Sequence, residues 1–87
     1  MPDQKQIPAT PAEAEDLAKR AVEQYLTACR LTDAAQIGNY LMKLCSVAGV
    51  VMAQAEGSVQ AYERLVGTAA FIAKTMPEQP AKLHRVQ

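Results

Sequence analysis

Cys29, Cys45 and His84 are the side chains of this sequence with the most reactive chemistry. A cysteine becomes a nucleophile when a base or a positive field stabilises its thiolate, and the sole histidine is the natural base. His84, however, sits in a basic C-terminal stretch with Lys82 and Arg85, far from either cysteine in sequence. Pairing would require that stretch to fold back over the rest, so both cysteines read as small buried hydrophobes. Two cysteines and one histidine also fall short of a disulfide framework or a zinc ligand set. The acidic cluster Glu13, Glu15 and Asp16 marks an exposed helix start, not a closed cleft for paired carboxylates. Gly38, Gly49, Gly57 and Gly67 stand singly, so no glycine-rich loop can cradle a phosphate. No catalytic residue, metal site or cofactor site is assigned, and a non-enzyme is expected.

Recognition chemistry is the next possibility. Nine basic and nine acidic residues leave no net charge, unlike the strongly basic balance of a nucleic-acid binder. A helix-turn-helix could begin at Ala34-Ala35-Gln36-Ile37-Gly38 and continue through Leu44 and Val47. Its reading helix would offer only Tyr40, Lys43 and Ser46 to base edges, and the stretch reads better as the middle of one long helix. A DNA-binding regulator acting as a helical dimer is kept as an alternative, needing Lys43, Arg64 and Lys74 side by side. Tyr25, Tyr40 and Tyr62 could line a small-ligand pocket between subunits, which is the second alternative. The simpler expectation is that each tyrosine lies at the rim of a bundle with its hydroxyl in water. Met42, Met52 and Met76 add adaptable packing.

The elements that must position these residues are helices. Residues 1–9, with Pro2 and Pro8 and no apolar period, read as a flexible arm. Thr10-Pro11-Ala12-Glu13 is a helix start: Thr10 caps, Pro11 suits the first turn, and Glu13 completes a capping box. The first helix is expected over about 11–31, with Glu15–Lys19 and Asp16–Arg20 pairs on its wet face. Thr32 is the expected cap of a second helix over 33–56. There Ala34, Ile37, Leu41, Leu44, Ala48, Val51 and Ala55 recur at alternating steps of three and four, the spacing of helix-on-helix packing. Ser46, Ala48 and Gly49 are small enough to admit a close neighbour. Gly57 suits the residue after a helix end, and Ser58 the cap of a third helix over 58–76, stopped by Pro77. Residues 77–87 read as a basic tail.

These elements imply an all-α domain over 10–76, a helical hairpin or three-helix up-down bundle completed by oligomerisation. A compact chain of this size exposes roughly 5,000 Å² and has a thin core, so small domains commonly need a staple. Residues 1–33 hold ten charges and Ala34–Met76 only five, which leaves the second and third helices more apolar than one seam requires. Ile37, Leu41, Leu44, Val51, Tyr62, Leu65 and Ile72 are the expected seam. Tyr40, Met42, Lys43 and Val47 form the expected partner face. A homo-oligomer, a dimer above all, or another protein is the expected partner, with nucleic acid disfavoured and no membrane involved. The opening residues lack an apolar run of the secretory kind, and the apolar stretch Ile37 to Ala55 is broken by polar residues, so a cytoplasmic location is expected. The expected function is a non-catalytic interaction module, either a self-associating adaptor or an inhibitor or regulator of a larger protein. In size and character alone the chain is similar to small helical proteins of phages and mobile elements.

Overall fold

The computed structural model describes residues 7–81; residues 1–6 and 82–87, which include most of the expected arm and tail and His84, lie outside the described residues. The chain is all-α, with three α-helices, one short 3-10 turn and no strand among the described residues. Helix α1 spans Pro11–Ala28, the turn Ala34–Gln36, helix α2 Ile37–Glu56 and helix α3 Ser58–Thr75.

The start of α1 follows from its sequence. The Glu13 backbone N–H donates to Thr10 Oγ1 at 3.2 Å, and the Thr10 N–H donates back to Glu13 Oε1 at 2.9 Å. Two amide groups that no helical carbonyl could reach are thereby satisfied. Lys19 closes on Glu15 at 3.7 Å along the wet face. The helix ends three residues before the expected position. Arg30 takes a left-handed backbone conformation (φ 59°), which halts the spiral, while its N–H still bonds to the Thr27 carbonyl at 2.9 Å.

The expected cap at Thr32 is replaced by its neighbour. Asp33 Oδ1 accepts from the Ala35 N–H at 3.0 Å and nucleates the 3-10 turn, so α2 begins at Ile37 instead of residue 33. A carboxylate is a strong partner for an unpaired backbone N–H, and here it outcompetes the adjacent threonine. Between α2 and α3 a single residue makes the connection. Gly57 has φ 96°, a conformation costly for any side chain with a Cβ. Its N–H bonds to the Ala53 carbonyl at 2.8 Å and its carbonyl accepts from Ala61 at 3.1 Å, closing one helix and opening the next. Ser58 is therefore the first residue of α3 and not its cap. At the far end Met76 turns extended before Pro77, as a residue preceding proline favours.

Helices α2 and α3 fold back as an antiparallel hairpin, and α1 meets α2 but not α3. The result is an open helical bundle of 46 × 29 × 21 Å. Its radius of gyration is 15.7 Å, against about 12 Å for a compact chain of this length. Only Leu26 and Ala61 are buried among the described residues. No helix among those residues is long and apolar enough to cross a membrane.

Candidate functional site

The hairpin is tightest next to its turn. Ala53 and Ala61, equally spaced on either side of Gly57, bring the helices together, and Ala61 is 4% exposed. One turn further, Gly49 faces Leu65: a Cβ on Gly49 would lie 3.2 Å from Leu65 Cδ1. Small side chains at the contact let two helix backbones approach, and larger residues stand along the walls beyond it. A groove of about 610 Å³ opens there, with Met42, Ser46 and Val50 on the α2 wall and Leu65, Ala69 and Ile72 on the α3 wall. Its lining is mainly apolar; Cys45, Ser46 and Thr68 are its polar side chains.

The surface around the groove stays uncovered. Val50 is 57% exposed and Tyr62 67% exposed, with Met42, Val47, Val59, Val66 and Ile72 open as well. Tyr62, Val66, Ala69 and Ala73 fall at helical spacing along one side of α3, so the groove passes into a stripe of apolar residues. Scattered exposed hydrophobes are ordinary on a monomer, whereas a contiguous strip of them marks a contact surface.

Across the turn end of the hairpin, Arg64 grips Glu56. Nε donates to both carboxylate oxygens at 2.9 and 2.8 Å, and Nη2 donates to Oε1 at 2.7 Å. These hydrogen bonds hold the Glu56 carboxyl below the usual carboxylate range, against a smaller opposing push from partial desolvation. They also raise the Arg64 pKa further above its already high value. Arg64, one of the three cations that a DNA-reading face would require, is thus paired with Glu56 within the hairpin.

A second polar contact joins α1 to α2. The Tyr25 hydroxyl donates to the Tyr40 carbonyl at 2.8 Å. Partial burial pushes the Tyr25 phenol up, and Cys29 and Tyr40 beside it act in the same direction. The expectation that all three tyrosine hydroxyls face water thus fails at Tyr25, whose partner is a backbone group on the next helix. Cysteine burial also differs from expectation. Cys45 is exposed on the groove wall and Cys29 only half-buried at the end of α1, because so few layers of chain cover either helix.

The seven expected seam residues divide between two faces. Ile37, Leu41 and Leu44 are half-buried on the N-terminal half of α2, the side carrying the Tyr25–Tyr40 link to α1. Val51 continues that line toward the turn and is exposed. Leu65 and Ile72 line the groove, partly open, and Tyr62 lies exposed beside it. Of the four expected partner-face residues, Tyr40 is half-buried toward α1 and Met42 lines the groove, while Lys43 and Val47 are exposed. Sequence reasoning passed over Ala53 and Ala61. The signal that could have found them is mirror spacing about Gly57: Ala53 with Ala61, Gly49 with Leu65, Ser46 with Thr68, Met42 with Ile72.

Among the described residues no group of three or more histidine, cysteine, aspartate or glutamate side chains could hold a metal ion. The chain matches no family model, no curated protein and no solved structure.

Proposed function

We propose that this chain is a non-catalytic protein-interaction module that works by burying the open face of its α2–α3 hairpin against another helical surface. The observation that carries this reading is the continuous run of uncovered apolar side chains, from Met42 and Val50 on α2 to Tyr62, Val66 and Ile72 on α3, around an apolar groove. Leaving that much hydrocarbon in water is unfavourable by about 25 cal/mol for each Å² that a partner could cover. A self-associating adaptor and an inhibitor or regulator of a larger protein are two forms of the same activity. Two unpaired thiols, one of them exposed, suit a reducing, cytoplasmic compartment.

An environment-sensitive apolar dye tests the reading. At high dilution, where partners dissociate, the chain is expected to take up the dye strongly. No dye uptake at any dilution, together with a cooperative melt of a single chain, would mean that the face is covered from within and would overturn the proposal.

A further inference from the structure

Resting on the interaction reading above, we infer that the occupant of the open α2–α3 groove is a second copy of this chain, so that two hairpins stack groove to groove as a two-fold symmetric four-helix bundle. Surface area is the first support. The chain exposes 7529 Å², roughly 2,500 Å² more than a compact chain of this mass. A standard specific interface takes about 800 Å² from each partner, a third of that excess. A third of that excess lying on the α2–α3 face would give a second copy a standard interface.

Charge is the second. In a two-fold contact each patch meets itself, so any charge near the axis faces its own kind. The groove walls carry no charged residue, and the chain as a whole has no net charge. A charged heterologous partner would find nothing there to pair with, whereas an identical copy meets no repulsion. Shape is the third. The lining sets small residues (Gly49, Ala53, Ala69) among large ones (Met42, Val50, Ile72), the pattern of ridges and hollows that helix layers interlock. Helix α1 is linked to α2 on the side of Ile37, Leu41 and Leu44, a different helical face from Met42, Ser46 and Val50, and so leaves the groove clear.

The test is absolute mass by light scattering over a concentration series, with thiol reactivity read alongside. The expected result is twice the 9.4 kDa of one chain, with Val50→Asp returning the mass to a single chain. Val50 is exposed in the isolated hairpin, so aspartate there meets no neighbour within one chain. Should Val50→Asp unfold, the wild-type thiols still decide: Cys45 on the groove wall should lose reactivity as concentration rises, while Cys29 keeps its own. A single-chain mass at every concentration overturns the second copy. If that monomer takes up apolar dye, the interaction reading stands with a different protein as partner; if it takes up none, both fall.

Discussion

At the scale of single residues, a two-bond capping box and one tyrosine hydrogen bond set how α1 is held. The Thr10–Glu13 box is local, lying within one turn, and every atom it needs is within three residues. Thr10→Ala is expected to lower stability by about 1 kcal/mol, read as a shift in the thermal midpoint and fraying of the first turn. The Tyr25–Tyr40 bond is of a different kind, linking residues fifteen apart across a left-handed turn at Arg30. Tyr25→Phe is expected to release α1, so that its amides exchange rapidly while those of α2 and α3 keep their protection. The pH dependence has a definite sign. Because the folded Tyr25 phenol titrates above the ordinary 10.0, its bond is fully present below that pH and is lost as pH rises through the higher folded value. The far-UV helix signal should therefore fall as pH rises through that value, and Tyr25→Phe should remove that step. The capping box was legible in the sequence because its geometry is fixed by adjacent residues. The tyrosine tether was not, since nothing in a helical period says where a turn will carry the next helix.

At the scale of elements, the hairpin depends on its one-residue turn. Gly57 holds a positive φ, and an alanine there is expected to destabilise the hairpin by about 1–2 kcal/mol, measured in denaturant titrations. The Glu56–Arg64 clamp across that turn has its own acid dependence. Its carboxyl titrates below the ordinary 4.5, so the contribution is present above that pH and is lost as pH falls through the lower folded value. Glu56→Gln should flatten the acid limb of stability and leave the neutral range little changed, since exposed pairs contribute modestly. The existence of all three helices could be read from apolar periods, a proline and glycine stop, and the first cap. Which face of α2 meets α3 could not. The regular line through Ile37, Leu41, Leu44 and Val51 is the most hydrophobic, yet close packing of two helices selects for small residues. Gly49, Ala53 and Ala61 make that contact, with Ser46 and Cys45 beside it; the small size of Ser46 and Gly49 was legible as room for a neighbour, whereas a reading weighted by hydrophobicity passes over Ala53 and Ala61.

At the scale of the molecule, the balance between covered and uncovered surface governs everything else. Among the described residues only Leu26 on α1 and Ala61 on α3 are buried, far less than a stable isolated domain of this length would carry. The imbalance of charge along the sequence pointed to this shortage. It did not locate the open face, because that depends on α1 packing against α2 alone and leaving α3 bare. The measurement that bears most directly on the contact surface is amide hydrogen exchange of the full chain, followed from concentrated to highly dilute solution. If the α2–α3 face is covered by another copy, amides of Ile37–Glu56 and Ser58–Thr75 should be protected when concentrated and lose that protection on dilution, with α1 exchanging faster throughout. Protection of α2 and α3 that persists at dilutions where the mass is that of a single chain would contradict the account, because it would mean that a single chain stabilises its own hairpin and has no need of a partner.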